Sequence, residues 1–163
     1  WRPIPRSAFF APPVTGNGLV GAYYPNDRWE EPPAFLRVDP LIDFYIHLIP
    51  LPRPYTVEWR GWLDVPLSGV YHLGAEVRDA CWLYIDGELI LEHTAPDEYR
   101  ETSLFLEAGR HEIRLRFLDK SDHSHIYLYW TTPEGEHEII PQERLSPLEG
   151  SGWRDVKSEG GDG

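Results

Sequence analysis

The sequence has no methionine, a single cysteine and no long apolar segment. Cys81 has no second cysteine to pair with, so an internal disulfide is excluded. No apolar run approaches the ~20 residues that a transmembrane helix needs, and the first residues lack the charged-then-apolar pattern of a signal peptide. We therefore expect no membrane contact by this segment itself. Because the chain begins at Trp1, we expect it to be a segment of a longer protein.

Positive charge is also scarce in this chain. It has 15 lysine and arginine residues against 27 aspartate and glutamate residues, a formal net charge of −12. Nucleic-acid binding depends on clusters of lysine and arginine that contact phosphates, so this balance argues against a nucleic-acid partner. Aromatic residues are plentiful, with 7 Trp and 9 Tyr. Such side chains suit both β-sheets and surfaces that stack on sugar rings.

The apolar pattern indicates strands throughout. No segment sustains the 3.6-residue period of a helix, and turn-forming residues recur at short intervals. We therefore predict an all-β fold with little helix, an antiparallel β-sandwich of jelly-roll type with long loops. Residues 126–130 are bulky on both faces, which indicates a central strand. The predicted strands are residues 18–24, 55–63, 70–77, 82–85, 88–93, 102–106, 111–118 and 126–131.

Composition changes at both ends of the chain. Residues 1–17 are rich in proline and are predicted to form a linker or strap. Residues 147–163 combine glycine, serine and acidic residues, cannot bury enough apolar area to fold, and are predicted to be a second linker. The predicted sandwich spans residues 18–146. Within it, residues 29–54 hold six prolines and are predicted to form an irregular excursion across the sheet edge.

The strongest local signal is the pair Asp86-Gly87 at the end of a bulky strand. Glycine accepts positive φ at no steric cost, so this pair predicts a tight β-hairpin. Arg78 and Asp79 lie between the preceding two predicted strands. Their loop is therefore expected to present side chains at one end of a sheet.

Several short motifs follow one another in a specific order between residues 18 and 145. They are Gly18-Leu19, Tyr23-Tyr24, Asp39-Pro40, Ile42-Asp43-Phe44, Val57-Glu58-Trp59-Arg60-Gly61-Trp62-Leu63, Leu83-Tyr84-Ile85-Asp86-Gly87, Leu106-Glu107-Ala108-Gly109-Arg110-His111, Leu128-Tyr129-Trp130 and Ile140-Pro141. In this order and spacing the chain resembles the protective-antigen fourteen-kilodalton domain family, a lectin-like β-sandwich module of adhesins, toxins, glycosidases and glycosyltransferases. The copy in bacterial membrane mannosyltransferase-like proteins is the one it resembles most.

The resemblance implies a calcium site that this chain alters. In the sugar-binding members, two successive aspartates ahead of the Leu-x-Ile-Asp-Gly strand hold a calcium ion that chelates sugar hydroxyls. Arg78 and Asp79 occupy those positions here, so a guanidinium replaces one carboxylate. A fixed positive charge beside the site repels a divalent ion by kcal/mol amounts even at an effective dielectric of ~20. Calcium is therefore disfavoured, and no cofactor is expected.

Three sets of residues are candidate ligand contacts. Arg78 and Asp79 can hold a ligand directly, with the guanidinium forked onto a carboxylate or a hydroxyl pair; the alternative is a local salt bridge that caps the loop. Trp29, in a loop flanked by prolines, is the best exposed ring for stacking on a sugar. Asp122 and His123 belong to the loop of residues 119–125, which joins the predicted strands 111–118 and 126–131.

That same loop carries the only metal-like cluster of the sequence. In an extended chain His123 and His125 point the same way, beside Asp119. A metal held by these residues or by Asp79 is the less favoured alternative to a solvated loop.

No catalytic residue is predicted. Cys81 lacks a paired base and His111 lies on the apolar face of its strand, so both are interpreted as packing residues. Asp39 and Asp43 are of the type that glycoside hydrolysis uses, but their spacing does not show that they face each other.

These observations favour a non-catalytic, lectin-like carbohydrate-binding module of a larger extracytoplasmic or membrane-anchored protein, secreted, periplasmic or at the cell surface. The parent protein can itself be an enzyme, such as a glycosyltransferase or glycosidase. Its expected partners are a glycan or neighbouring domains of the parent chain. The alternative is a structural or protein-docking β-sandwich without a glycan site, and the missing aspartate supports it.

Overall fold

The computed structural model describes residues 17–46, 49–120 and 124–148. In these ranges the chain forms a short 3-10 helix, Gln142–Arg144, and twelve strands. The strands are β1 (Leu19–Tyr24), β2 (Phe35–Asp39), β3 (Asp43–Ile46), β4 (Tyr55–Val65), β5 (Gly69–Val77), β6 (Ala80–Ile85), β7 (Glu88–His93), β8 (Tyr99–Leu106), β9 (Gly109–Asp119), β10 (Ser124–Thr131), β11 (His137–Ile139) and β12 (Leu145–Ser146).

The strands form two sheets in which every pairing is antiparallel. The larger sheet has the order β2-β1-β4-β9-β6-β7, with β12 also paired to β4. The smaller sheet has the order β11-β10-β5-β8, with β3 also paired to β10. The predicted antiparallel β-sandwich is thereby confirmed. The central position predicted for residues 126–130 is confirmed too, because β10 has partners on both sides.

The core lies between the inner faces of the two sheets. On β5 the alternate residues Tyr71, Leu73 and Val77 are buried, and on β9 the same holds for Ile113 and Phe117. The intervening residues of β9 are arginines and glutamate on the outer face. Burying a side chain of this size stabilises the fold by about 1.5–3 kcal/mol, so the period-2 pattern fixes which face of each strand points inward.

The hairpin between β6 and β7 has the geometry that its sequence predicts. Asp86 and Gly87 both adopt positive φ, 51° and 81°. That combination belongs to a turn whose twist matches the flanking strands. The Arg78-Asp79 loop crosses from the smaller sheet to the larger at one end of the sandwich, because β5 and β6 belong to different sheets.

The segment of residues 29–54 is more regular than predicted. It crosses the sheet edge as expected, but it contains β2, which pairs with β1, and β3, which pairs with β10. Both strands avoid proline, which lacks the N–H that a ladder needs. They are short because the surrounding prolines interrupt pairing.

The predicted linkers coincide almost entirely with residues 1–16 and 149–163, which lie outside the described residues. Within the described ranges no helix has the length and apolarity needed to cross a membrane.

Candidate ligand-binding face

The outer face of the smaller sheet carries a run of rings, here called the aromatic ladder: Tyr99, His125, Tyr127, Tyr129 and His137. On β10, His125, Tyr127 and Tyr129 alternate with the inward residues of the strand, so they share the outer face. β10 pairs with β11, which brings His137 beside them, and β10 pairs with β5, which in turn pairs with β8 and so brings Tyr99 near. The ladder therefore draws on three strands.

The rings of the ladder contact one another over its whole length. Tyr127 lies 5.6 Å from His125 and 6.5 Å from Tyr129 between ring centroids. Tyr129 stacks on His137 at 5.0 Å and 7°, while Tyr99 meets Tyr129 edge-on at 5.6 Å and 84°. Mutually packed rings lose little entropy on binding, so the ladder is a pre-organised platform.

A glycine makes room for the end of the ladder. The ring of Tyr99 lies across Gly74 on the neighbouring strand, and a Cβ at Gly74 would meet the Tyr99 hydroxyl oxygen at 2.3 Å. Tyr99 is 38% exposed. A larger residue at position 74 would lift this ring and break its edge contact with Tyr129.

Carboxylates line the ladder. Asp43 and Glu76 lie opposite Tyr127 on its two neighbouring strands, and the Tyr99 hydroxyl donates to Glu101 at 2.9 Å. Burial raises the pKa of Tyr127 and of Tyr129, and the negative charge of the nearby carboxylates raises each further. The phenols therefore remain protonated at neutral pH and act as hydrogen-bond donors next to fixed acceptors.

The ladder continues into the loop that carries Arg78. The Arg78 guanidinium forms an ion pair with Asp97, and His125 lies 3.6 Å from the same carboxylate. Asp97 is held in place at positive φ by its backbone N–H, which donates to the Val77 carbonyl at 2.9 Å. The local salt bridge considered for Arg78 is thus present, with Asp97 as its partner.

The two other acidic candidates at this end hold loops together. Asp79 is buried and accepts the Lys120 backbone N–H at 2.8 Å. Asp119 is fully buried and accepts the Arg53 Nε–H at 2.9 Å. Among the described residues, no group of three or more histidine, cysteine and acidic side chains could hold a metal ion.

Asp122 and His123 lie outside the described residues. Ligand contact by Asp122 and His123, and metal binding by His123, therefore stay predictions.

Trp29 lies on the opposite side of the sandwich from the ladder. Its ring packs edge-on against Trp82 at 5.4 Å and beneath the Arg116 guanidinium at 5.0 Å, on the outer face of the larger sheet. Its indole N–H donates to the Val57 carbonyl at 2.9 Å. Trp29 therefore already has structural partners, both for its indole N–H and for its ring.

The residues weighed for catalysis have structural environments. Asp39 is buried and accepts hydrogen bonds from Tyr23 at 2.5 Å, Trp59 at 2.7 Å and Arg37 at 2.7 Å, whereas Asp43 is exposed beside the ladder. Burial raises the pKa of Cys81 to about 12, so its thiol stays protonated.

His111 belongs to a hydrogen-bond network at the turn of the β6–β7 hairpin, at the end of β6 away from the Arg78-Asp79 loop. It bonds to the Asp86 carboxylate and to the Glu107 carbonyl, both at 2.7 Å. Burial lowers the pKa of His111, but the hydrogen bonds to Asp86 and to the Glu107 carbonyl, together with the negative charges of both residues, outweigh this and the net shift is upward. His111 thus ties the β6–β7 turn to the β8–β9 turn.

Sequence reasoning missed the ladder. The available signal was the alternation of His125, Tyr127 and Tyr129 within one strand, but bulk on both faces was interpreted only as the mark of a central strand. Tyr127 and Tyr129 are in fact only half-buried. No local pattern marks Tyr99 or His137 as their neighbours.

The chain is similar to proteins and structures that are already known. The family model of the PA14 domain matches residues 15–144. The anti-sigma-I factor RsgI3 of Acetivibrio thermocellus is 30% identical, over 83% of this chain and 22% of that protein.

Two solved structures have the same fold. An anti-sigma factor domain-containing protein from Clostridium clariflavum aligns with a TM-score of 0.73 at 25% identity, over 84% of this chain and 49% of that one. A PA14 sugar-binding domain from an RTX adhesin aligns at 0.69 with 14% identity, over 81% of this chain and 99% of that one. This chain thus spans about a fifth of RsgI3 and half of the clostridial structure. Since the family model covers most of its length, the chain belongs to the PA14 domain family.

Proposed function

We propose that this chain is a non-catalytic, lectin-like module that binds carbohydrate for a larger extracytoplasmic or membrane-anchored protein. The observation that carries the proposal is the aromatic ladder with its flanking carboxylates. The half-buried tyrosines leave apolar ring carbons for the C–H side of a sugar ring, and their hydroxyls reach its polar groups. The sugar-binding PA14 domain of the RTX adhesin, which has the same fold, supports the same class of function.

The charges beside the ladder favour a neutral glycan. Asp43, Glu76 and Glu101 are acceptors for sugar hydroxyls, and a carboxylate forms stronger hydrogen bonds than a neutral oxygen does. The same charges repel an anionic polymer, as does the net charge of −12 on the whole chain. At the loop end, the Arg78–Asp97 pair adds a donor and an acceptor next to His125.

The platform is open, so binding should be weak for a single sugar. A flat face buries little of its ligand, and a dissociation constant near 1 mM corresponds to only ~4 kcal/mol. The length of the ladder suits an oligosaccharide, since several rings then contact successive sugars. Repeated domains of this type in a parent protein would strengthen binding by raising the effective concentration.

The absence of catalysis in this proposal is supported by the environment of the candidate groups. Asp39 is occupied by three donors inside the core, and the Cys81 thiol is fully buried. The relative RsgI3 is an anti-sigma factor, which supports a sensing or anchoring role for the module within its parent rather than turnover of the glycan.

The test is a titration with neutral soluble polysaccharides. Tryptophan fluorescence and amide shifts in nuclear magnetic resonance measure the binding. Tyr129→Ala removes the ring that contacts Tyr127, His137 and Tyr99 and should weaken binding by roughly tenfold or more, given that aromatic contacts dominate such surfaces. Tyr84→Ala is the matched control, because Tyr84 is a half-buried tyrosine on the outer face of the other sheet. It should leave binding unchanged.

Trp29→Ala compares the ladder with the residue that the sequence singled out. Loss of binding in Trp29→Ala but not in Tyr129→Ala would move the glycan site to the larger sheet. If no neutral glycan shifts any signal at millimolar concentration, the proposed function is wrong and the docking alternative replaces it.

A further inference from the structure

A cleft opens between the edges of the two sheets, on the side away from β2 and β11. It has a volume of about 580 Å³. Its floor is apolar, formed by Ile85, Ile90, Leu104 and Leu106, and two of these, Ile85 and Leu106, are almost fully buried. A floor of this kind accepts an apolar side chain.

The walls of the cleft are strand edges. In the described part of the chain, β7 pairs only with β6, and β8 pairs only with β5, so each has an outer edge without a strand partner. The edges meet where the Thr102 hydroxyl donates to the Ile90 carbonyl at 2.8 Å. Free edges of this kind bind an added strand through backbone hydrogen bonds.

The mouth of the cleft is acidic. Asp86, Glu88 and Glu107 are exposed there, and the lining includes no lysine or arginine. The one basic group is His111, which already bonds to Asp86. Glu88 and Glu107 therefore present negative charge on either side of the apolar floor, and they complement a cationic ligand.

Exposed apolar side chains extend the surface beyond the cleft. Leu89 is 44% exposed on β7 and Phe105 is 62% exposed on β8. Large apolar side chains at an open edge are unusual in a monomeric domain unless a partner covers them.

We propose that the cleft between β7 and β8 binds an extended, basic peptide segment of a partner protein, which adds a strand to a free edge, places an apolar side chain on the floor and sets lysine or arginine against Glu88 and Glu107. The lining of this cleft shares no residue with the aromatic ladder, although Tyr99 and one wall of the cleft both belong to β8. The inference rests on the cleft lining and does not depend on the glycan proposal.

The experiment uses a synthetic peptide of about ten residues that alternates valine and lysine. The control peptide has the same sequence with glutamate in place of lysine. Amide shifts are recorded for the whole chain during titration. The lysine peptide should shift the amides of β7 and β8, and the glutamate peptide should shift none of them.

The variant Glu88→Lys with Glu107→Lys should weaken binding of the lysine peptide by roughly tenfold or more. Glu134→Lys with Glu136→Lys is the matched control, since these exposed residues lie in the turn before β11 and the net charge changes equally. The control should bind as the native chain does. Thermal melting confirms that each variant is folded.

Three results would overturn the proposal. The first is that the glutamate peptide binds as well as the lysine peptide. The second is that the control variant loses as much binding as the cleft variant. The third is that the lysine peptide shifts no amide of β7 or β8 at millimolar concentration. Glycan binding by the same samples is measured in parallel, which separates failure of this site from failure of the ladder.

Discussion

Two buried carboxylates lie on opposite faces of the larger sheet, and different kinds of group bond to each of them. Asp39, 4% exposed, faces the core and takes its hydrogen bonds from a phenol, an indole and one arginine. Glu58, 2% exposed, lies on the outer face. Arg60 and Arg116 contact it at 3.0 and 2.9 Å.

The two carboxylates differ in whether their hydrogen-bond donors can bond to water once the carboxylate is removed. The Tyr23 hydroxyl and the Trp59 indole are sealed in the core, so loss of Asp39 leaves two buried donors without an acceptor, at about 1–3 kcal/mol each. The arginines around Glu58 are 25 and 34% exposed, so water can replace the lost acceptor. Equal burial of a carboxylate therefore does not imply equal importance for stability.

Asp39→Ala should have the largest effect on stability. We expect the free energy of unfolding to fall by about 3–5 kcal/mol, as for other buried charge networks that lose one partner. For a domain of this size that corresponds to a drop in melting temperature on the order of 10 °C. Urea denaturation measures it.

Asp43→Ala is the control for this prediction. It removes an exposed aspartate four positions away and should change stability by no more than about 0.5 kcal/mol. If the two variants melt together, the core network around Asp39 is not a major source of stability.

Glu58→Gln should have a smaller effect, with a loss of about 1–2 kcal/mol in unfolding free energy. Glutamine keeps the shape and one acceptor oxygen, and the arginines retain access to water. Glu112→Gln, an exposed glutamate on the outer face of the same sheet, controls for the change in net charge. A loss as large as that of Asp39→Ala would contradict the comparison.

The ion pair of His111 with Asp86 extends the comparison to a pair with an exposed carboxylate. Its contribution to the free energy of unfolding should depend on pH. The pKa of His111 is raised in the folded state. Its pairing with Asp86 therefore stabilises the fold fully below the unfolded pKa of ~6.5, and the contribution is lost as pH rises through the higher folded pKa. The difference in melting temperature between the native chain and His111→Gln should be larger at pH 5.5 than at pH 8.5.

Asp86→Asn provides the check on this mechanism. Without the carboxylate, only Glu107 still raises the pKa of His111, so the pH dependence of the histidine substitution should become clearly smaller. A pH-dependent difference of undiminished size in the Asp86→Asn chain would show that Asp86 is not a main cause of the shift.

Calcium should have no effect on the native chain, because the Arg78 guanidinium already supplies positive charge beside Asp79 and pairs with Asp97. A ligand present at ~100 times its dissociation constant adds about 2.7 kcal/mol to stability, which would raise the melting temperature by several degrees. We expect no such rise in a thermal shift assay.

Arg78→Asp is the complementary variant, since it restores two adjacent carboxylates. A rise with calcium in that variant alone would show that arginine is what excludes the ion. A rise in the native chain that a chelator reverses, and that Asp79→Asn abolishes, would contradict the prediction.

Much of the fold could be predicted from the sequence because its signals are local. Alternation of Arg114 and Arg116 with Leu115 and Phe117 identifies the inward face of β9 by itself. Asp86-Gly87 specifies its turn through the conformational freedom of glycine. The short strands β2, β3, β11 and β12 were missed because proline and brevity hide the alternation, and only pairing with a longer strand makes them regular.

The candidate site was predicted only in part, at the Arg78-Asp79 loop. The salt bridge considered for Arg78 is present, but its partner Asp97 lies 19 residues away, and nothing in the spacing indicates this contact. Trp29 was singled out for its loop, while its packing against Trp82 and Arg116 arises from strands that are distant in sequence.

The sequence by itself determined that the chain is all-β, which faces of the long strands turn inward, where the tight hairpin lies and which family the chain resembles. These properties depend on residues within one strand or turn of each other. Only the tertiary structure decided that Tyr99, Tyr129 and His137 form one platform and that β7 and β8 border a cleft. The physical reason is that a strand's own period sets the face of each side chain, whereas its neighbours depend on the order and register of strands, which the packing of the whole core selects.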